Sequence, residues 1–294
     1  MSDAKLVLGH HPISQAVTPE RATAHGLDVT LKRVSPIHDA FAPMIREQAF
    51  DICELAIVSA MQAIAYDKPL ILLPVALAAR HQHKCIVCNA ERGAFGPDEL
   101  PGKRVAVRAY TQTTGAWVRA ILQTEYGVPP LSVHWVTQVG AHVAEYNDPD
   151  FIEHVGKDQA LIDMLRDGRV DAAIFGNDLP DLPWIAPVIP DAETAGERAY
   201  RKSGIVSINH ILSVRRAWAE AKPERLKQVM ALFRDASAAA KTDTPELYPI
   251  GLAAMRPSIE TLLASAYDQA VLPHPLYIDE MFKDARAALG ALAD

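Results

Sequence analysis

The sequence is poor in cysteine, in aromatic residues and in charge of one sign. Its 294 residues include 3 cysteines, too few for the disulfide framework that stabilises small secreted domains. Aromatic residues make up 6% and charged residues 22%, and the net charge is -7 with neutral histidines. No block of Lys and Arg stands out. The sequence therefore argues against a nucleic-acid partner, which requires a basic surface to bind phosphates.

Long hydrophobic runs are missing as well. No stretch approaches the ~18 consecutive apolar residues of a membrane helix. The opening MSDAKLVLGHHPISQ has neither the basic flank nor the small-residue cleavage site of a secretory signal. We therefore predict a cytoplasmic protein with no membrane partner. Cys85 and Cys88 lie three apart in the apolar run CIVCN, a spacing that directs them to opposite faces of a strand, so core cysteines are favoured over a redox or zinc pair.

Several catalytic motifs are also lacking. The sequence has no G-x-G-x-x-G after a predicted strand, no phosphate-binding G-K-[ST] loop, no G-x-S-x-G turn and no H-E-x-x-H. Nucleotide-dependent chemistry and serine hydrolysis therefore have no support, and no cofactor is predicted.

What is present is a regular alternation of strand and helix patterns, with 49% hydrophobic residues. The length fits about two domains of ~150 residues, and no flexible linker separates them. Such alternation predicts mostly parallel sheets covered by helices on both faces. Strands are predicted at 5–9, 51–58, 70–75, 84–89, 104–108, 132–136, 170–175 and 205–214, and helices at 37–50, 111–126, 158–167 and through most of the chain after 214. Ser59 is expected to cap the helix after 51–58.

Ligands of parallel sheets bind beyond the carboxyl ends of the strands. That rule selects four segments, 10–11, 54–59, 108–114 and 176–178. In the third, Thr111 to Gly115 open a helix, whose free N–H groups and partial positive charge favour an anion. Arg108 at the strand end can add a bidentate carboxylate contact. The alternative is ordinary capping by one threonine beside a solvated arginine.

Histidines are the second signal, because imidazole exchanges protons near neutral pH. His10 and His11 follow the first strand, and His210 lies in a late one. His81 and His83 could share a metal ion, but no third ligand has convincing spacing, so no metal site is predicted.

Other polar residues allow two interpretations each. Glu54 lies within an apolar strand, so its carboxylate is either paired with a cation such as Arg80 or Lys84, or acts as a proton donor or an anchor for a catalytic histidine. Tyr110 either binds a substrate hydroxyl or packs in the core. Asn177 and Asp178 either line a cleft or form a turn.

The order of these segments resembles the cytoplasmic enzyme branch of the type II periplasmic-binding-protein fold, typified by 4,5-dihydroxyphthalate decarboxylase. The resemblance spans about residues 5 to 240. Its most specific part is PGKRVAVRAYTQTTGAWVRAILQTEYGV at 101–128. The other segments are LGHH (8–11), FDICELAIVSA (50–60), QHKCIVCN (82–89) and Asn209-His210 before Val214-Arg215-Arg216. The chain departs from the pattern at Ala109, where an acidic residue is expected, at the additional Arg108, and at Gln82, where an arginine is expected.

The resemblance implies an α/β fold of two lobes that close on a ligand in the cleft between them. Lobe one would hold 1–99 and 212–294, and lobe two 100–211. It also implies decarboxylation of a hydroxylated aromatic carboxylate by acid–base chemistry without a cofactor, in a possible homo-oligomer. A solute-binding protein for a small carboxylate is the alternative, since most proteins of this fold bind without chemistry.

We can name the residues that this activity would use. His10 and His210 are expected to act as acid and base, with Glu54 orienting one of them. The substrate-binding set is expected to comprise Ser59, Arg80, His83, Arg108, Tyr110, Thr111, Gln112, Thr113 and Thr114.

Overall fold

The computed structural model describes residues 4–176, 178–222 and 224–294. Its strands are β1 (Ala4–Leu8), β2 (Val29–Arg33), β3 (Ile52–Ala56), β4 (Leu70–Ala79), β5 (Ile86–Asn89), β6 (Arg104–Val107), β7 (His134–Thr137), β8 (Glu153–His154), β9 (Ala172–Ile174), β10 (Ile185–Pro187) and β11 (Ile208–Arg215).

Helices cover both sheets and fill most of the chain after β11. They are α1 (Pro12–Ala16), α2 (Pro19–Ala24), α3 (Phe41–Glu47), α4 (Ile57–Ala65), α5 (Thr113–Tyr126), α6 (Leu161–Asp167), α7 (Ala192–Ser203), α8 (Arg216–Glu220), α9 (Arg225–Ala239), α10 (Leu252–Asp268), α11 (Ile278–Met281) and α12 (Lys283–Leu289). Within the described ranges no helix is both long and apolar enough to cross a membrane.

The strands form two mixed sheets, which confirms the predicted α/β class. The first has the order β2-β1-β3-β11-β4 and the second β10-β5-β9-β6-β7-β8. In the first sheet β1, β2 and β3 are parallel, whereas β11 is antiparallel to both β3 and β4. In the second, β6 to β9 pair in parallel, and β5 is antiparallel to β9 and β10. The antiparallel strands β5 and β11 are those that follow each crossing between the sheets.

These crossings lie at different positions from the predicted lobe boundaries. The prediction divided the chain at residues 99 and 211, whereas β5 at 86–89 already lies in the second sheet and residues 208–211 already lie in the first. The apolar run at 84–89 matches a buried strand but contains nothing that indicates which sheet it joins.

Local structure agrees with the pattern for buried elements and differs at their ends. The predicted strand 51–58 ends at Ala56, and α4 begins at Ile57, so Ser59 lies inside the helix rather than capping it. Strands β2, β8 and β10 were not predicted, and all three carry exposed or half-exposed residues that weaken a hydrophobic pattern. Cys85 and Cys88 are both buried with free thiols, as expected of core cysteines.

The two sheets are joined by packing between helices near the strand ends. The amide of Val58 in α4 donates to Oγ1 of Thr113 in α5 at 3.4 Å. Trp117 Nε1 of α5 donates to the carbonyl of Ile208 at 2.7 Å. These contacts hold the ends of β3 and β11 beside the start of α5, and this region contains the candidate site.

Candidate active site

Glu54 is the centre of the site, and its side chain is fully buried. Its strand β3 lies between β1 and β11, so groups from both neighbours reach its carboxylate. Oε1 accepts a hydrogen bond from His210 Nδ1 at 2.6 Å and lies 2.9 Å from His11 Nε2. Oε2 accepts from the amide of Gly9 at 2.9 Å and from the hydroxyl of Ser14 at 3.4 Å. One buried carboxylate thus holds two imidazoles.

The turn after β1 explains why His11 reaches this position. Pro12 starts α1 directly after His11, so the chain must reverse within three residues of Leu8. A Cβ on Gly9 would lie 3.3 Å from Glu54 Oε2 and 3.4 Å from His11 Nε2. Glycine therefore permits the close approach of the backbone that lets its amide bind the carboxylate.

The environment of Glu54 favours its ionised form. Burial alone would raise the pKa of this carboxyl, but the contacts with His11 and His210 outweigh it and hold the pKa well below its usual range. A carboxylate that stays ionised at neutral pH can orient both imidazoles through these contacts. The His11 and His210 side chains are only 20% and 17% exposed, so solvent screens this attraction weakly.

The structure corrects the expectation for the first histidine. His10 is exposed and does not contact Glu54, whereas His11 does. Two adjacent histidines after a strand point in different directions, and the sequence pattern alone does not say which one faces the neighbouring strand.

Aromatic and histidine side chains lie beside the group formed by Glu54, His11 and His210. The ring of Phe41 in α3 meets His210 edge-on at 5.3 Å between centroids, and it meets His142 in the same way at 5.5 Å. His142 comes from the segment 138–146 after β7, in the second sheet's lobe. Its Nδ1 lies 2.8 Å from Ser59 Oγ, so Ser59 binds a side chain of the protein. Sequence reasoning missed both Phe41, whose helical spacing indicated only core, and His142, which lies in no motif.

Several of the predicted anion-binding residues lie around the start of α5. No side chain caps α5, whose first amide groups therefore remain available, and this favours the anion-site interpretation over ordinary threonine capping. Arg80 Nη2 donates to Thr114 Oγ1 at 2.9 Å, and Arg80 Nε donates to Gln82 Oε1 at 3.2 Å. Gln82 in turn donates to Asn209 at 2.6 Å, the residue before His210. This network links the α5 side of the cleft to β11.

Arg108 follows β6 and is half-buried, and its guanidinium makes no hydrogen bond or ion pair within the described residues. Its charge acts on two histidines. After burial, Arg108 is the next largest cause that lowers the pKa of His38 and of His142. Burial and the Arg108 charge, with smaller contributions from His38 and Arg46, lower the pKa of His142 to about 4, so this imidazole is neutral at physiological pH. Arg108 is therefore a cation available to an anionic ligand.

Other predicted residues lie outside this cleft or are occupied by structural contacts. Tyr110 is fully buried and its hydroxyl donates to the carbonyl of Gln269 at 2.8 Å, so the packing interpretation holds rather than substrate binding. His83 is buried and pairs with Glu125 at 3.0 Å. Thr111 is buried, and Thr113 accepts the bond from α4.

Gly176 and Asp178 lie near Arg80 and the start of α5. The amide of Gly176 donates to Asp178 Oδ1 at 2.8 Å. An added Cβ on Gly176 would lie 3.5 Å from Arg80 Nη2 and 3.7 Å from Gln112 Nε2, so its backbone lies beside two of the predicted anion-binding residues. Asn177 lies outside the described residues.

Among the described residues, one group of three possible metal ligands comes together, namely His11, Glu54 and His210, with donor atoms within 4.8 Å of one another. A tetrahedral ion bound at ~2.0–2.1 Å would hold its ligand atoms about 3.3 Å apart. The 2.6 and 2.9 Å contacts of Glu54 Oε1 are both shorter than that, and the contact with His210 is a hydrogen bond. The arrangement therefore fits a proton-sharing set better than a metal centre. Within the ranges that the structure describes, His81 and His83 belong to no group of three possible metal ligands.

Comparison with known proteins supports an enzyme. No family model matches the chain. A 4,5-dihydroxyphthalate decarboxylase from Comamonas testosteroni is 28% identical over 240 residues, which cover 73% of this chain and 71% of that protein. The chain resembles 4,5-dihydroxyphthalate decarboxylases. A second relative of the same name, from Pseudomonas putida, is 28% identical over 161 residues, or 50% of this chain and 62% of its own length. The predicted resemblance is confirmed, as is the expectation of an enzyme of the carboxy-lyase type.

Solved structures show the same fold at low identity. A mutant of the desulfurization enzyme DszB in complex with biphenyl-2-sulfinic acid has a TM-score of 0.53 at 12% identity, covering 94% of this chain and 95% of that one. A Candida albicans protein described as having the generic periplasmic binding protein fold has a TM-score of 0.50 at 11% identity, covering 97% of this chain and 94% of that one. The two-lobed binding-protein fold is therefore confirmed.

Proposed function

We propose that this protein removes one carboxylate, as CO2, from a hydroxylated aromatic acid of the 4,5-dihydroxyphthalate type, without a cofactor. The observation that carries the proposal is the buried Glu54 carboxylate in contact with two imidazoles. Solute binding alone does not call for two proton carriers on one buried carboxylate, whereas aromatic decarboxylation needs both a base and an acid. The relatives bear the name of this reaction.

The chemistry follows from how electrons move through a phenol ring. A base takes the proton of the hydroxyl para to the departing carboxylate, and the phenolate sends electron density to the ring carbon that bears that carboxylate. An acid then delivers a proton to this carbon. The bond to the carboxylate breaks, its electron pair restores the aromatic ring, and CO2 leaves. The phenolate recovers its proton, so the net reaction consumes one proton and releases one CO2.

In this scheme His210 is the acid and His11 is the base. His210 donates a well-aligned hydrogen bond to Glu54 at 2.6 Å, so the carboxylate fixes the orientation of its ring. His11 Nε2 lies at 2.9 Å from the same oxygen without the alignment of a hydrogen bond. Glu54 does not touch the substrate in this scheme and acts as a positioning residue for both rings.

Arg108 and the residues around the start of α5 would bind the carboxylate that the substrate retains. Arg108 has no protein partner within the described residues, and the start of α5 offers amide groups beside Arg80 and Thr114. Phe41 supplies an apolar surface between the two histidines for the ring. Closing the lobes would exclude water and strengthen these charges.

The test is to incubate the purified protein with 4,5-dihydroxyphthalate and related dihydroxylated aromatic acids, and to measure CO2 release. In D2O, the product should carry deuterium at the carbon that lost CO2, because the acid delivers a solvent-derived proton there. His210→Gln should lower kcat by at least ~100-fold, the lower end of what general acid–base groups contribute, with little change in ligand affinity. Binding of every acid without turnover would replace this proposal by the solute-binding alternative.

A further inference from the structure

The segment 138–146 lies between β7 and β8 of the second sheet and contacts the lobe of the first sheet. Its start is tied to the strand end at Arg108, because the amides of Gln138 and Val139 both donate to the Arg108 carbonyl, at 3.1 and 3.0 Å. Farther along, Arg46 of α3 donates to the carbonyls of His142 at 2.7 Å and of Ala141 at 3.0 Å. The backbone that leads to His142 is thus held by contacts with both lobes.

The side chain of His142 is held on one nitrogen only. Ser59 Oγ lies 2.8 Å from Nδ1, and Phe41 packs edge-on against the ring. Nε2 has no hydrogen-bond partner among the residues that the structure describes. It is not among the polar atoms that are fully shielded from solvent, so a ligand can reach it. A neutral imidazole carries one donor and one acceptor. When the Ser59 hydroxyl donates to Nδ1, the proton lies on Nε2, and Nε2–H becomes a donor with no protein acceptor.

The charges around His142 indicate what this donor would bind. Burial and the neighbouring Arg108, with smaller contributions from His38 and Arg46, disfavour a proton on both nitrogens, so His142 stays neutral beside the two arginines. A neutral donor next to an unpaired guanidinium adds a second hydrogen bond to a carboxylate without adding repulsion between cations. The Phe41 ring places this group one aromatic ring away from His210.

We propose that His142 determines specificity for the carboxylate that the substrate retains, with Ser59 fixing its tautomer and its Nε2–H donating to that carboxylate beside Arg108. The proposal rests on the proposed function in that it takes the ligand to be an aromatic carboxylate. It requires no turnover, so it can be tested by binding alone.

The probes are 3,4-dihydroxybenzoate, which retains one carboxylate, and catechol, which has none, both measured by titration calorimetry. His142→Ala should weaken binding of 3,4-dihydroxybenzoate about 10-fold, the loss of one hydrogen bond to a charged group, and change catechol binding less than twofold. His142→Gln keeps an amide donor and should recover part of the loss. Ser59→Ala should give a smaller loss for the carboxylate alone. His134→Ala, exposed at the start of β7, is the matched control and should bind as the wild type does.

The two ligands separate a binding role from a structural one. An equal loss for both probes in His142→Ala and His142→Gln would mean that the ring only supports the fold, and would overturn the proposal. Unchanged binding in both variants, or no binding of 3,4-dihydroxybenzoate to the wild type at millimolar concentration, would also overturn it. If His142→Ala does not fold, the Gln and Ser59→Ala variants carry the comparison. Carboxylate selectivity without CO2 release would refute the proposed function but not this inference. CO2 release without carboxylate selectivity would refute this inference but not the proposed function.

Discussion

At the scale of single residues, the site depends on one carboxylate that the fold forces into the core. Glu54 is charged and buried, a state that is strongly unfavourable unless the charge is hydrogen-bonded. Here the Gly9 amide and two imidazoles compensate for the lost water. The same contacts that make the burial tolerable also hold the two proton carriers in place.

The adjacent histidines give the sharpest test at this scale. His11→Ala should reduce turnover of the aromatic acid by at least ~100-fold, because it removes one of the two groups that exchange protons. His10→Ala should keep turnover within about twofold of the wild type, because an exposed histidine without contact to Glu54 contributes little. Steady-state kinetics of both variants on one substrate measure this. The opposite pattern would mean that His10 faces the cleft in solution.

At the scale of elements, the site is built where three neighbouring strands and two helix starts meet. The sequence predicts β1, β3, β11 and the start of α5, because each is an apolar run or a helix pattern of ordinary length. Glu54, His210 and Arg108 were therefore found as candidates from the ends and interiors of those elements. The pairing β1-β3-β11 is set by tertiary contacts, which local patterns do not encode, so the choice between His10 and His11 was missed.

Loops explain the rest of what sequence reasoning missed. His142 is brought to the cleft by a segment without regular structure, anchored through backbone carbonyls that any residue supplies. Tyr110 was misassigned for the related reason that its direction depends on Gln269, which is distant in sequence. Candidates on strands were thus easier to recognise than those whose position depends on a distant partner.

The turn between β1 and α1 can be tested with one methyl group. Gly9→Ala would place its Cβ 3.2 Å from the Ile37 Cβ and 3.3 Å from Glu54 Oε2, so these neighbours must give by a few tenths of an ångström, and Glu54 is the residue that His11 contacts. We expect a loss of about 1–3 kcal/mol in unfolding free energy and a clear fall in kcat. Gly140→Ala is the matched control, because nothing lies within 4 Å of the Cβ it adds. Equal behaviour of the two variants in urea unfolding and kinetics would show that Gly9 is not a constraint.

The strand end at Arg108 gives a second test at this scale. Arg108→Ala should raise KM for the aromatic acid about tenfold or more and change kcat less, because a carboxylate clamp acts mainly on binding. Arg108→Lys should recover only part of the affinity, since a lysine ammonium lacks the planar pair of donors. Initial rates over a range of substrate concentrations separate the two constants. A fall in kcat with KM unchanged would instead place Arg108 at the reacting carbon.

At the scale of the whole molecule, three polar contacts beside the site add to the helix packing that joins the two lobes. Arg46 binds backbone carbonyls of 141–142, Lys68 of lobe one pairs with Glu145, and Ser59 binds His142. Exposed pairs of this kind contribute little to stability individually. In the third contact the His142 ring packs against Phe41 and binds Ser59, so the protonation state of that ring couples this contact to pH.

The sign of this coupling follows from the pKa of His142 in the folded and unfolded states. An unfolded histidine takes up a proton below its ordinary pKa of 6.5, whereas folded His142 does so only near pH 4. Between these values the unfolded state binds more protons, so the contribution of His142 is complete above pH 6.5 and is lost as the pH falls toward 4.

Urea unfolding at about pH 7.5 and about pH 5.0 should show that the wild type loses about 1–2 kcal/mol more than His142→Gln over this interval. His38 and His81, whose pKa values are also lowered, are present in both proteins, so the difference isolates His142. His134→Gln should follow the wild type. Equal losses in all three proteins would show that His142 is already solvated in the folded state, and that the interface between the lobes is more open than the hydrogen bond to Ser59 implies.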